Sequence, residues 1–328
     1  MKRFFLFSII LVGLIAVSTS CKKDDDNPDE PVQYKIYQGN LVNPSFEELE
    51  AFQDSGYNFI NGSVELINVE GLVDMHSLSN VKYIKSYFFI INNLELTSLE
   101  GLSNLDSVGG NFYISRNDAL TNINGLSNLT YVGGDFEISY HDALTTLDGL
   151  SNLTSVGGGF FILEIDSLTN FHGLSNLTSV GGDFDIRDNY ALTNFEGLSN
   201  LTSIGGVFYI CDFYSLTNLD GLSNLTSIGS DFYITSNFSL TNLDGLSNLT
   251  SIGGPFIMWG NDALTNLDGL SSLISVGWDF NVDYNKSLSD FCGIKPLLST
   301  SGVMGSVYIH DNLYNPSVED IINGNCSQ

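Results

Sequence analysis

Apolar residues along this chain recur at a spacing that belongs neither to a helix nor to a plain strand. The pair Gly-Leu falls at Gly101-Leu102, Gly125-Leu126, Gly149-Leu150, Gly173-Leu174, Gly197-Leu198, Gly221-Leu222, Gly245-Leu246 and Gly269-Leu270, every step being 24 residues. A representative unit runs from Phe136 to Gly159, with Phe136, Ile138, Leu144, Leu147, Leu150, Leu153 and Val156 apolar in nearly every repeat. Phe136-Glu137-Ile138 alternates inward and outward, which predicts a short strand. The series from Leu144 to Val156 keeps period three, as expected of a coil that turns corners and points one side chain inward at each. Gly157-Gly158 predicts a tight corner with positive φ before the next strand. Stepping back from Phe112 reaches Phe88 and Val64. Stepping forward reaches Phe280 and, after one coil with three extra residues, Val307, giving eleven coils with degenerate outer ones. At a strand spacing of about 4.8 Å the stack is roughly 50 Å long. One coil cannot bury its own apolar stripe, but a stack makes a continuous core.

An asparagine follows each strand at Asn93, Asn117, Asn189, Asn237, Asn261, Asn285 and Asn312, interrupted by His141, Ile165 and Phe213. Inward asparagines there are expected to bond the backbone of the adjacent coil as a ladder. The ends need covers, because an open solenoid exposes core and strand edge. Residues 43–52 predict a helix with Pro44 in its first turn and a capping box between Ser45 and Glu48. Phe46, Leu49 and Phe52 are expected on its inner face. Residues 316–322 predict a second short cap helix.

Residues 1–20 read as a secretory signal: Lys2-Arg3, an apolar run from Phe4 to Val17, then Ser18-Thr19-Ser20. The run is too short to span a bilayer. Cys21 directly after these small residues resembles the lipobox of bacterial lipoproteins, although Ser18 stands where an aliphatic residue is usual. The resemblance implies acylation of Cys21; ordinary secretion is the alternative. Residues 21–33, charged and proline-bearing, read as a disordered acidic tether. The formal net charge of -27 argues against nucleic acid or anionic lipid headgroups as partners. In an oxidising compartment Cys292 and Cys326 are expected to pair and staple the C-terminal cap, leaving Cys211 alone.

Units of the form GLSNLTSVGGDF followed by the strand and its asparagine resemble the receptor L-domain family, relatives of leucine-rich repeats. The opening Phe52-Gln53-Asp54-Ser55-Gly56-Tyr57 and the closing Cys292 to Pro296, Asn315-Pro316 and Asn325-Cys326 are similar to that family's ends. The resemblance implies an all-β, right-handed β-solenoid: N-terminal cap 34–62, repeat array 63–312, C-terminal cap 313–328. The acidic tether resembles that of Bacteroidota surface lipoproteins, which implies a lipid anchor in the outer membrane, facing the exterior.

Candidate chemistry is sparse. His76, His141, His172 and His310 fall in different coils, so no metal or triad grouping is expected. Asn-Leu-Thr at Asn128, Asn152, Asn176, Asn200, Asn224 and Asn248 matches a glycosylation sequon, which in a bacterial chain is a coincidence of the repeat. An acidic column at Glu100, Asp148, Glu196, Asp220, Asp244 and Asp268 suggests either calcium between coils or side chains splayed into solvent. The outward strand positions are richer. Tyr113, Glu137, Phe161, Asp185, Tyr209 and Tyr233, with Trp259 and Tyr284 nearby, form an aromatic and acidic face suited to an extracellular glycan or protein ligand. Cross-strand pairing that only stabilises the sheet is the alternative. The expectation is therefore a binding or adhesion protein with no cofactor and no enzymatic activity. An architectural role in envelope or biofilm comes second, and a β-helix polysaccharide-degrading enzyme third.

Overall fold

The computed structural model describes residues 33–328. The signal expected over 1–20, Cys21 and all of the tether except Gln33 lie outside them. Residues 34–328 form one compact unit.

Among the described residues the chain winds through two parallel sheets in strict sequence order, eleven strands in one and twelve in the other. The longer strands carry the Phe-x-Ile pattern, and each pairs with the equivalent residues one coil on, as Phe136↔Phe160 and Ile138↔Ile162 show. Phe136, Ile138 and the period-three series Leu144, Leu147, Leu150, Leu153 and Val156 are all buried. Buried phenylalanines from Phe88 to Phe280 follow one another along the core, stacked as Phe136 is on Phe160 at 5.2 Å, with Phe256 tilted against Phe232. The Gly-Leu corners are tight, and several form single 3-10 turns such as Asp148–Leu150.

The structure adds a coil that the periodicity does not reveal. Leu41–Val42 joins the long-strand sheet and Leu41 pairs with Val64, a step of 23 rather than 24. Ile36–Gln38 likewise pairs with Phe59–Asn61 in the other sheet. The segment 34–62, expected to be a cap alone, is thus itself a coil, with the helix Phe46–Ser55 standing where other coils run their corner leucines. The capping box is present: the Ser45 hydroxyl accepts from the Glu48 N–H at 3.3 Å and Glu48 accepts from the Ser45 N–H at 2.7 Å. Leu49 and Phe52 are buried, but Phe46 is exposed. A step of three residues falls about 60° short of a full helical turn, so residues spaced by three fan across the surface and Phe46 sits at the edge of the fan. At the other end Phe280 pairs with Val307. The helix Val318–Asn323, capped by Ser317 and Asp320, follows. A disulfide joins Cys292 to Cys326, with Cα atoms 5.0 Å apart. Cys211 is free and buried, and burial pushes its thiol pKa up.

The asparagine ladder is a column of buried amides. Asn237 is typical: its side-chain carbonyl accepts the Phe213 N–H at 3.2 Å, and its Nδ2 donates to the Ile210 carbonyl at 2.9 Å. His141 takes the same place, with Nε2 3.1 Å from the Ile114 carbonyl and Nδ1 3.3 Å from that of Asn117. Burial holds its imidazole below the ordinary histidine pKa. The Asn-Leu-Thr triplets make a second ladder on the surface. Asn152 donates to Ser127 O at 2.7 Å, and the Thr154 hydroxyl donates to Thr130 O at 3.0 Å, with equivalents in neighbouring coils.

Gly157 and Gly158 do not take the positive φ expected of them. They are glycines because the preceding coil is too close: a Cβ on Gly157 would lie 2.4 Å from Gly133 O. The left-handed residue comes after the strand instead, at Arg116, Tyr140, Glu164, Asp188, Asp212, Ser236, Gly260 and Tyr284. There the chain must leave the sheet so that the next residue can point its amide inward.

Replacing Asn237 by Ala leaves the Phe213 N–H unpaired in a dry core and takes one of its two donors from the Ile210 carbonyl. The expected loss is about 2–4 kcal/mol, against about 0.5–1.5 kcal/mol for Asn152→Ala, whose site water can refill. Urea unfolding of the two variants measures the difference, and equal small losses would remove the buried ladder from the account of stability.

Candidate ligand-binding face

The outer side of the long-strand sheet carries two rows of side chains fixed by register. The first row runs Phe89, Tyr113, Glu137, Phe161, Asp185, Tyr209, Tyr233, Ile257 and Asn281. The second includes Ser115, Ser139 and Leu163, then Cys211, Thr235, Trp259 and Asp283. The left-handed residues form a third row at the edge.

Most of the first row is engaged with itself. Tyr113 stacks on Phe89 at 4.9 Å and its hydroxyl accepts from Asn111 at 2.8 Å. Glu137 accepts the Ser139 hydroxyl at 2.5 Å. Phe161 lies over Gly159, where a Cβ would meet its ring at 2.5 Å. Tyr209 and Tyr233 stack at 5.2 Å with planes 8° apart. The Tyr233 hydroxyl donates to Asp231 at 3.0 Å, and burial together with that carboxylate pushes its pKa up to about 12.

Asp185, in the same outward row, is covered by its neighbour Arg187. It is only 4% exposed, and its carboxylate takes the Arg187 guanidinium at 2.6 Å (Nη2) and 2.9 Å (Nε). The same carboxylate accepts the Arg187 N–H at 3.2 Å, so a local side-chain bond competes with the ladder and the strand ends at Phe184–Asp185. Arg187 in turn covers the Tyr209 ring at 4.8 Å.

Trp259 and Tyr284 differ from these. They are 47% and 59% exposed, and together with Phe238 they border a groove of about 560 Å³ floored by Ile257, Met258 and Asn281. The groove exists because the edge row carries Gly260 at this rung, between Ser236 and Tyr284. Asp262 and Lys286 pair across its rim at 2.7 Å. Asp283 already accepts the His310 N–H at 3.0 Å. The Asn281 side-chain carbonyl is buried at the groove and has no hydrogen-bond partner. Asp311 accepts a hydrogen bond from the Tyr284 hydroxyl and holds that phenol above its ordinary pKa.

The groove therefore brings together Trp259 and Tyr284 of the expected residues and leaves Tyr113, Glu137, Phe161, Tyr209 and Tyr233 along the strip beside it. Asn281 was missed. Asparagine at an outward strand position carries no signal until the structure shows that its amide lacks a partner. Gly260 was readable in principle, as the one glycine among residues 24 apart from Arg116 to Tyr284. The acidic column is exposed, with His172 3.5 Å from Glu196. Among the described residues no group of three or more His, Cys, Asp or Glu is placed to hold a metal ion.

No family model matches the chain. No curated protein matches it either. Among solved structures, an internalin (inlF) from Listeria monocytogenes str. 4b F2365 aligns over 81% of this chain and 76% of that one, at 17% identity and a TM-score of 0.44.

The first row and the groove differ in what they do for stability. Tyr209→Ala with Tyr233→Ala removes a half-buried stacked pair and is expected to lower stability by about 1–3 kcal/mol. Trp259→Ala, whose ring stacks on no neighbour, is expected to cost about 0.5 kcal/mol. Denaturant unfolding compares them. A Trp259 variant as damaged as the tyrosine pair would make that side chain structural.

Proposed function

We propose that this chain is a lipid-anchored surface protein of receptor L-domain type that binds an extracellular glycan or protein through the outer face of its long-strand sheet. The groove between Trp259 and Tyr284 is its principal contact. The observation that carries this reading is the groove itself. Large aromatic surfaces stand exposed around a buried, unpartnered amide carbonyl, and each of these features costs free energy in the free protein unless a ligand uses it. Aromatic side chains give large contact area at small entropic cost, which suits them as anchors. The rigid stack on either side holds the anchors in place before binding, so little ordering remains to be done. Binding rather than catalysis is proposed because the carboxylates nearest the groove, Asp262 and Asp283, are already held by Lys286 and His310.

Anchoring is the other half of the proposal. Acylation at Cys21 would fix the chain to the outer membrane, and the acidic stretch after it would give reach on the outer face.

Labelled residues 34–328, the compact unit, should bind at least one class of glycan-array feature or intact cell surface. The Trp259→Ala, Tyr284→Ala variant should lose about a hundredfold in affinity with its fold intact. No binding to either, or unchanged binding by the variant, would replace this reading with an architectural one.

Full-length Cys21→Ala protein, expressed in a Gram-negative host, should take up no fatty-acid label and should leave the membrane fraction. Persistent membrane attachment of that variant would overturn the anchor.

A further inference from the structure

The groove does not stand alone. At the position two residues past the left-handed turn, consecutive coils carry Tyr190, Tyr214 and Phe238, which are 39%, 57% and 48% exposed. Their rings follow one another along the stack at 5.2 Å and 6.4 Å between centroids. The same position continues as Asp262 and then Lys286, whose ion pair ends the apolar track. Beside that end the aromatic surface passes to Trp259 and Tyr284 and so into the groove.

We infer that this track and the groove together bind a linear, uncharged, hydroxyl-rich polymer, a neutral glycan chain, lying along the solenoid axis with one sugar in the groove. The inference rests on the binding reading above and narrows its ligand to one class.

Three observations carry it. The first is direction: the exposed rings advance one per coil, with centroids 5.2 and 6.4 Å apart, so they offer a line of apolar contacts along the stack axis that a linear chain can follow. A folded protein epitope needs no such line.

The second is polarity. The Asn281 amide lines the groove and its buried carbonyl has no donor, so on rotating toward the groove it accepts from a hydroxyl group without bringing charge in. The third is charge. Three of the carboxylates at the track and groove are engaged: Asp188 accepts from the Tyr190 hydroxyl at 3.1 Å, Asp262 holds Lys286, and Asp283 accepts from the His310 N–H. They still repel uronates and sulfated sugars, and the one ammonium at the site, Lys286, is neutralised. A polycation would find no unoccupied carboxylate in the groove itself.

The test uses residues 34–328 and titration calorimetry with dimers and hexamers of neutral glucan, mannan, xylan and N-acetylglucosamine chains. Oligogalacturonate and chitosan hexamers serve as anionic and cationic counterparts. At least one neutral hexamer should bind about tenfold or more tighter than its dimer, and tighter than either charged hexamer. Tyr190→Ala with Tyr214→Ala should weaken the hexamer about tenfold and leave the dimer within about twofold, whereas Trp259→Ala should weaken both about tenfold or more. Thermal unfolding of each variant confirms that the fold persists.

A hexamer no tighter than its dimer overturns the axial track. Tighter binding of either charged hexamer overturns the ligand class. If no neutral chain binds, yet the Trp259→Ala, Tyr284→Ala variant loses its cell-surface binding, the glycan assignment falls and the binding reading stands. If that variant also binds cells unchanged, both fall.

Discussion

Backbone pairing between successive coils, in parallel and at a nearly constant register, is the constraint from which the rest of this protein follows. Each coil satisfies its own amides only by lying directly on the next, at the strand spacing of about 4.8 Å. That distance dictates which residues are tolerated. Gly149 packs so close to the coil before it that a Cβ would sit 2.0 Å from Ile123 O. Between the strands the carbonyls and amides of the turns would be orphaned. Buried asparagines and surface Asn-Leu-Thr triplets take them up, each donating or accepting across coils. The sequon-like triplet is thus a hydrogen-bonding device whose Asn and Thr each reach one coil back.

A frame pinned in this way frees its outward positions. The inner pattern barely varies from coil to coil, while the outward rows change residue at almost every rung. Two uses of that freedom are visible. In the middle of the stack the side chains look after one another: Asp185 holds Arg187, Arg187 covers Tyr209, and Tyr209 stacks on Tyr233. Towards the C-terminal end the mutual satisfaction fails. Trp259 and Tyr284 reach into solvent, and Asn281 keeps a carbonyl with no donor. A surface built only for stability would continue the first pattern.

The repeat was legible because its cause is local and recurs: Phe136, Ile138 and the leucines to Val156 each meet their own copies in the next coil. The Ser45 and Glu48 cap was legible for a similar reason, since both partners lie within one turn. The first coil was hidden because the helix Phe46–Ser55 replaces its leucine corners and shortens the step to 23 residues. The conformation of Gly157 was misread because a glycine serves either positive φ or close approach, and only the neighbouring coil decides which. On the face, residue type alone separated aromatic from polar but not satisfied from unsatisfied. The repeat already puts Tyr209 and Trp259 in different rows, but only the structure shows that Tyr209 has a ring partner.

Gly260 gives the strongest reason to regard the groove as built rather than incidental. Its rung requires a left-handed backbone, for which glycine is the unstrained choice and other residues cost about 1–2 kcal/mol. Yet Arg116, Tyr140, Glu164, Asp188, Asp212, Ser236 and Tyr284 all occupy equivalent rungs at φ between 51° and 63°. The stack therefore bears that strain repeatedly, and backbone relief does not explain why glycine appears at this one rung of the row. What glycine uniquely supplies is the missing side chain. A Cβ at Gly260 would have only ordinary contacts, the nearest being Ser236 N at 3.5 Å, so the space beside it is open rather than filled by a neighbour. That opening lies where Trp259, Tyr284 and the unpartnered Asn281 carbonyl converge. The single place where the edge row gives up its side chain is the place where the face has most to offer a ligand.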